Sequence, residues 1–347
     1  MAHQKVKLAI LDDYQGIAAA KFARLASRLD ITSYPDTLDT RDEAQRAALI
    51  ERLQPYTLIS SMRERTPFTA DIVSTLPNLK YLLNTSSRNR SIDLEACNER
   101  GITVTGTTGR EAQTSVSSTS QHTWALILGL ARNIARDDAA IKNGGWQGSL
   151  GVGLPGKTLG VLGLGKLGLE TARIGIVAFG LRVKAWSSSL TQESADEKAA
   201  ALGLPAGSFE VASCKEDLFR TADILSVHYV LSDRSRAIVG AKELAQMKPT
   251  ALLINSSRGP LIDEAAVLEV LKQGKIRGIA LDVFEPEPLP KDSEWRTTKW
   301  GQDGRSEVLL TPHMGYGEEE TINGWYEEQV ANVERWLNGE EVKWRMA

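Results

Sequence analysis

The chain is poor in the residues that mark several protein classes. Of its 347 residues only Cys97 and Cys214 are cysteines, far apart and at no metal-ligand spacing. That excludes a disulfide scaffold and fits a reduced, intracellular protein. Only four histidines occur, His3, His122, His228 and His313, and they form no ligand cluster, so no metal is expected and a metal-dependent alcohol dehydrogenase is disfavoured. The formal net charge is −3, with no general basic surface to attract nucleic acid. No apolar run reaches the roughly eighteen residues a membrane helix needs. The first residues, Met1-Ala-His-Gln-Lys5, lack the apolar core of a signal peptide, and Trp344-Arg-Met-Ala347 carries no address, so cytoplasm is the expected compartment. There are no repeats and no low-complexity segment. What remains is ordinary: 42% hydrophobic and 24% charged residues, in a chain long enough for two domains.

Strand and helix patterns alternate from the start, which predicts parallel sheets wrapped by helices. Val6–Leu11 reads as a buried strand followed by a helix from about Ile17 to Leu29; a helix near Arg41–Leu53 leads to strands at Thr57–Ser60, Leu79–Leu83 and Ile102–Thr105. A long helix, Ser117 to about Lys142, links this first region to a second with strands at Thr158–Leu162, Arg182–Trp186, Ile224–His228, Ala251–Asn255 and Gly278–Val283. The last helix, Glu318–Leu337, carries Ile322, Trp325, Tyr326, Val330, Val333 and Trp336 at helical spacing, a packing stripe that can return to cover the first domain. The expected division is therefore 1–115 with 318–347 as a substrate-binding domain, and 116–317 as a dinucleotide-binding domain.

The strongest local signal is Gly163-Leu164-Gly165-Lys166-Leu167-Gly168, set between the apolar strand Thr158–Leu162 and an apolar helix that Gly180 ends. In that context each glycine has a job: a tight turn, close backbone approach to a pyrophosphate, and close helix–strand packing. The free N–H groups at the helix start then hold the phosphates. A carboxylate about twenty positions on would bond the ribose hydroxyls. The strand Arg182–Trp186 is followed instead by Ser187-Ser188-Ser189, with no carboxylate to repel a 2′-phosphate and no Arg or Lys to bind one. The cofactor is therefore expected to be NAD(P)H, with NADP or dual use favoured and NAD still open.

Three segments are polar where a buried strand ends: Asn255–Asp263, Leu281–Pro288 and Thr311–Gly315. An Arg, a carboxylate and a His gathered at one sheet edge suit hydride transfer to a 2-oxo acid. Arg258 can fork onto the substrate's carboxylate and keto oxygen. His313 can donate the proton to the developing alkoxide, and Glu287 can hold the imidazole and stabilise its protonated form. In the first region, the polar loops Ser60–Arg65 and Asn84–Arg90 follow strands and are candidates for binding substrate. His122, beside Trp124 on the linking helix, is assigned to packing; His228 is assigned to the wall of the cofactor site; His3 falls in the terminus.

With these motifs the sequence resembles the D-isomer-specific 2-hydroxyacid dehydrogenase family, over nearly the whole chain. Its marks are Gly163–Gly168, Asn255–Glu264, Leu281–Pro288 and Pro312–Gly315, in that order. The resemblance implies an α/β fold of two Rossmann-like, flavodoxin-like domains with doubly wound parallel sheets, the active site in the cleft between them, and a homodimer formed through the cofactor domain. It assigns Arg258 to substrate binding, His313 to acid–base work with Glu287 as its partner, and Asp282 to the nicotinamide carboxamide. Ser257 and Val230 belong with the cofactor segments, and Thr85-Ser86-Ser87-Arg88 looks like the loop that grips the substrate carboxylate, with Arg63 nearby. The activity implied is reduction of a small 2-oxo acid (glyoxylate, hydroxypyruvate, pyruvate, or a branched or aromatic analogue) to its D-2-hydroxy acid. Alternatives are an NADH-sensing, corepressor-like regulator of the same fold, and oxidation of formate or phosphite. The chain departs from the pattern at four places: the missing acid after Trp186, Ser86 in place of a more usual Gly, Val230-Leu231-Ser232 in place of a proline-containing turn, and a long connection at 289–308, read as a surface loop rather than a substrate flap.

Overall fold

The computed structural model describes residues 4–108 and 116–347. The chain divides into two compact units, residues 1–113 with 318–347, and residues 114–317. Each is an α/β unit with its own parallel sheet.

The first unit holds strands β1 (Val6–Leu11), β2 (Leu29–Tyr34), β3 (Leu58–Ser61), β4 (Tyr81–Asn84) and β5 (Thr103–Thr105), all parallel and ordered β2-β1-β3-β4-β5. β3 and β4 are buried throughout, as a parallel strand covered on both faces must be. The order reverses at β1, so the carboxyl ends of β1 and β3 flank a switch point, where open α/β sheets place ligands. Here the expected Ile17–Leu29 helix is replaced by a short helix, Ala18–Phe22, a 3-10 turn, Ala23–Leu25, and strand β2. The helix Glu319–Leu337 packs within this unit: Ser60 Oγ donates to Gln329 Oε1 at 2.6 Å, and Arg28 Nη1 donates to Asn338 Oδ1 at 2.7 Å. The tail pairs antiparallel with β5, Met346 N donating to Val104 O at 2.7 Å.

The second unit holds β6 (Thr158–Leu162), β7 (Arg182–Trp186), β8 (Phe209–Val211), β9 (Ile224–Val227), β10 (Leu252–Asn255), β11 (Gly278–Leu281) and β12 (Glu307–Leu310). All pairs are parallel, in the order β12-β11-β10-β9-β6-β7-β8. Counted from β6, this is the doubly wound dinucleotide-binding order with one strand added at the end, and its switch point lies between β6 and β9. Apolar side chains fill both faces, Leu253, Ile279 and Trp295 on one and Ile127, Leu159 and Ile254 on the other. The linking helix is not continuous. It runs Ser118–Ala131, breaks at Asn133 in the left-handed region (φ 55°), and resumes over Ile134–Lys142. Segment 289–308 is more ordered than a surface loop. Trp295, on the short helix Glu294–Thr297, is 2% exposed and packs into the core, and Ser306 Oγ donates to Ile276 O at 2.6 Å. Among the described residues, no helix is long and apolar enough to cross a membrane.

Candidate active site

The glycine loop follows β6 at the switch point, and its three glycines differ as the motif requires. Gly163 has φ +101°, and a Cβ there would come within 2.6 Å of His228 O at the end of β9. A Cβ at Gly168 would overlap the carbonyl oxygen of Gly163, so helix and strand approach this closely only because Gly168 lacks a side chain. Gly165 is the opposite case: an added Cβ meets nothing within 4 Å. That open space faces the start of the helix Lys166–Phe179, whose N-cap, Gly165, supplies no side-chain cap. Uncapped N–H groups beside an open glycine suit an anion, and a dinucleotide pyrophosphate fits them. Lys166 and Leu167 are the first two helical residues, the former exposed.

Around this loop, Trp186 stacks on Tyr229 with ring centroids 6.3 Å apart. The Tyr229 hydroxyl accepts from Ser188 N and donates to Ser188 Oγ, both at 3.2 Å. Ser187 adjoins this pair, and Val230 is exposed. Loss of solvent pushes the His228 imidazole down to about 4, so it is neutral at pH 7, with Nε2 2.8 Å from Ser226 Oγ. That agrees with a wall rather than an acid.

The loops after β10, β11 and β12 meet within the second unit. Asn255 is fully buried; its amide donates to Arg258 O at 2.9 Å, and its Oδ1 accepts from Ser257 N at 3.1 Å. Ser257 Oγ ties this loop to Val227 O at 2.7 Å, and Arg258 Nη1 donates to Ser257 O at 2.8 Å. A Cβ at Gly259 would overlap the backbone of Phe284, so the Arg258 loop lies directly on the loop that carries Glu287. Glu287 accepts from Phe284 N through Oε1 at 2.8 Å and bonds His313 Nδ1 through Oε2 at 2.6 Å. Both side chains are more than four-fifths buried, at 17% and 18% exposure, which makes this a strong charge-assisted contact whenever the ring is protonated. His313 has φ 55°, a left-handed conformation uncommon for a non-glycine residue and frequent at functional sites.

Asp282 is 1% exposed and holds the His313 loop from below. Its Oδ1 accepts from Met314 N and from Thr311 Oγ1, both at 2.7 Å, and its Oδ2 accepts from Gly315 N at 2.9 Å. His122 Nε2 lies 3.1 Å from the same Oδ1 and 2.9 Å from Thr311 Oγ1. Burial pushes the Asp282 carboxyl up, but the hydrogen bonds from His122, Thr311 and Met314 outweigh it and hold it below the ordinary value. His122, assigned to packing from the sequence, thus also hydrogen-bonds the buried Asp282 carboxylate. The sequence signal was the wholly polar start of this helix, Ser118–Thr123, before it turns apolar at Trp124.

In the first unit, the loops after β3 and β4 are knitted together. Arg63, with φ 49°, donates its N–H to Thr85 Oγ1 at 3.0 Å, and Asn89 Nδ2 donates to Arg63 O at 2.5 Å. The Arg63 guanidinium sits 5.8 Å from the Trp325 ring centre. Asn84 Nδ2 bonds Ser86 O and Oγ at 2.9 and 2.8 Å, and Ser86 Oγ donates to Arg88 O at 2.6 Å; Ser87 and Arg88 are exposed. Ser86 thus spends its hydroxyl on shaping its own loop. His3 lies outside the described residues. Among the described residues no His, Cys, Asp or Glu group could hold a metal.

Fold and site together define a dinucleotide-binding α/β oxidoreductase. Residues 124–315 match the model of the D-isomer specific 2-hydroxyacid dehydrogenase NAD binding domain. The chain is 34% identical over 308 residues to the glyoxylate reductase of Aeropyrum pernix, covering 83% of this chain and 85% of that one. It is 32% identical over 266 residues to the hydroxypyruvate reductase of Thermotoga maritima, covering 76% and 79%. Among solved structures, the phosphoglycerate oxidoreductase of Vibrio cholerae superposes with a TM-score of 0.80 at 32% identity, over 96% of this chain and 99% of that one. The chain belongs to the D-isomer specific 2-hydroxyacid dehydrogenase family.

Proposed function

We propose that this protein reduces a small 2-oxo acid to the corresponding D-2-hydroxy acid with NAD(P)H. The observation that carries the reading is the His313–Glu287 pair, 2.6 Å apart at the carboxyl edge of the dinucleotide-type sheet, with the Glu287 loop packed against the one bearing Arg258. With Nδ1–H committed to the Glu287 carboxylate, His313 keeps Nε2 for the substrate. It gives the Nε2 proton to the keto oxygen as the C=O bond becomes an alkoxide, which completes the hydroxyl. Glu287 fixes the ring's orientation and stabilises the charged imidazolium before transfer. Arg258 binds the substrate carboxylate in a fork and polarises the keto oxygen. The loops carrying Arg63 and Ser86, Ser87 and Arg88 are assigned to the carboxylate as well. Bound NAD(P)H supplies the hydride to the carbonyl carbon.

The residues that would hold the cofactor are Gly163, Gly165, Lys166, Leu167 and Gly168 at the pyrophosphate, Ser187, Ser188 and Val230 at the adenosine end, and Ser257 and Asp282 near the nicotinamide. Oδ2 of Asp282 has one bond from Gly315 N, which leaves it capacity to accept from a carboxamide. Without a carboxylate after Trp186, NADPH is used as well as NADH. Glyoxylate and hydroxypyruvate head the candidate substrates, in keeping with the names of the relatives, and pyruvate stands beside them as a further small 2-oxo acid.

The test is absorbance at 340 nm with a panel of 2-oxo acids and both cofactors, with chiral analysis of the product. Turnover with at least one acid, yielding the D-isomer, is expected. Silence across the panel with tight cofactor binding retained would favour a sensor and overturn the reading. A preference above a hundredfold for NADH would overturn dual cofactor use alone.

A further inference from the structure

The helix Ser118–Ala131 offers polar side chains to the three loops after β10, β11 and β12 that build the candidate site. His122 Nε2 reaches Asp282 Oδ1 and Thr311 Oγ1, and the next residue, Thr123, shares a 2.7 Å hydrogen bond with Ser256 Oγ, two positions before Arg258. A third residue, Thr119, lies against Gly315, whose Cβ position is 3.4 Å from Thr119 Cγ2. The proton inventory fixes the direction of the bonds. Thr311 Oγ1 has a single proton and donates it to Asp282 Oδ1. Asp282, held in its charged form, has none to give. His122 Nε2 must therefore carry the hydrogen and share it between the carboxylate and the threonine oxygen.

The carboxylate that receives this bond accepts in turn from the N–H groups of Met314 and Gly315, the two residues that follow His313. His313 itself occupies a left-handed backbone conformation that the surrounding structure must enforce. We propose that His122 is a positioning residue: through Asp282 and Thr311 it fixes the loop that sets the His313 imidazole against Glu287. The site then contains two imidazole–carboxylate pairs, His313–Glu287 for the chemistry and His122–Asp282 to hold the first in place.

This inference rests on His313 being the proton donor, so its test has one arm that needs no turnover. Three variants of the full chain are compared with wild type: His122→Gln, whose amide can donate near the position of Nε2, His122→Leu, which keeps bulk and removes the donor, and Thr311→Val. Backbone amide exchange is read at Met314 and Gly315 by deuterium uptake, and kcat and KM are measured with the 2-oxo acid that wild type reduces best. Exchange should accelerate about tenfold or more in His122→Leu and Thr311→Val and stay near wild type in His122→Gln. In the same two variants kcat should fall about tenfold to a hundredfold, with KM much less affected, while His122→Gln recovers most of it. A packing role predicts the reverse order, with leucine tolerated better than glutamine. Unchanged exchange in His122→Leu and Thr311→Val, or kcat for leucine equal to or above that for glutamine, overturns the proposal. If His122→Leu does not fold, Thr311→Val and His122→Gln decide by the same readouts. If wild type reduces no 2-oxo acid, the proposed function fails, and the exchange arm still decides the role of His122.

Discussion

Gly165 and Gly168 sit three residues apart in one loop, yet the structure gives their replacement by alanine opposite consequences. At Gly165 the backbone is extended (φ −85°, ψ −168°) and the Cβ position is open, so alanine fits the folded chain without strain. By restricting the unfolded chain it should even stabilise the protein by about 0.4–1 kcal/mol. The new methyl would, however, stand where the backbone must meet the cofactor's phosphates. Displacing the pyrophosphate from even one helix N–H forfeits a charge-assisted hydrogen bond of about 1.5–3 kcal/mol, or about tenfold to a hundredfold in Kd. At Gly168 the same methyl would overlap Gly163 O, so strand and helix must separate. Overpacking of this kind costs about 1–3 kcal/mol. The assay pairs a thermal melt of each variant with titration of NADH and NADPH, followed by nucleotide fluorescence. Gly165→Ala should keep or raise Tm and lose cofactor affinity; Gly168→Ala should lower Tm. Wild-type cofactor affinity in a folded Gly165→Ala variant would refute the assignment of this loop as the phosphate cradle.

Further outcomes follow from other sites. Glu287→Gln keeps the shape of the partner to His313 but removes its charge, and should lower kcat about tenfold to a hundredfold in steady-state reduction, because a charge-assisted bond becomes a neutral one; unchanged kcat would remove Glu287 from the mechanism. Asp12 is fully buried, takes a 2.9 Å hydrogen bond from Thr66 and a further one from Thr37, and burial pushes its carboxyl up to about 6 from 3.8. The folded state therefore holds this proton more tightly than the unfolded chain, and stability attributable to Asp12 is lost as pH rises from about 4 through 6. At 1.36 kcal/mol per pKa unit the loss above pH 6 is about 3 kcal/mol. Asp12→Asn should thus gain about that much relative to wild type between pH 4 and pH 7.5 in urea unfolding, whereas a pH-independent difference would contradict the buried carboxyl.

Legibility in the sequence followed burial. The interior strands β1, β3, β4, β6, β9, β10 and β11 carry apolar runs, and β7 alternates through Val183 and Ala185; these could be read directly, as could β5 at an edge. Those that escaped are β2, β8 and β12, all at sheet edges: β2 and β12 are half-buried along most of their length, and β8 is only three residues long. An edge strand has one unpaired side and fewer apolar side chains to announce it. The break at Asn133 was hidden because apolar spacing continues across it, and a single left-handed residue leaves the composition untouched. At the site, the His313–Glu287 contact was foreseeable from chemistry, since each residue lies in a polar segment that follows an apolar run and the two types pair naturally. The His122–Asp282 contact was not. It joins residues 160 positions apart through a helix whose apolar content argued for packing, and only the register of that helix against β11 and β12 brings them together. Trp295 was likewise ambiguous, because a tryptophan within charged residues reads as surface until a core receives it.

The central claim is that His313 delivers the proton in reduction of a 2-oxo acid. Its most direct test is the turnover of His313→Ala with NADH or NADPH and the acid that wild type reduces best, in a variant whose melt and cofactor Kd match wild type. A fall in kcat of about 10²–10⁴ is expected with cofactor binding intact. Near-normal kcat in that variant would contradict the account.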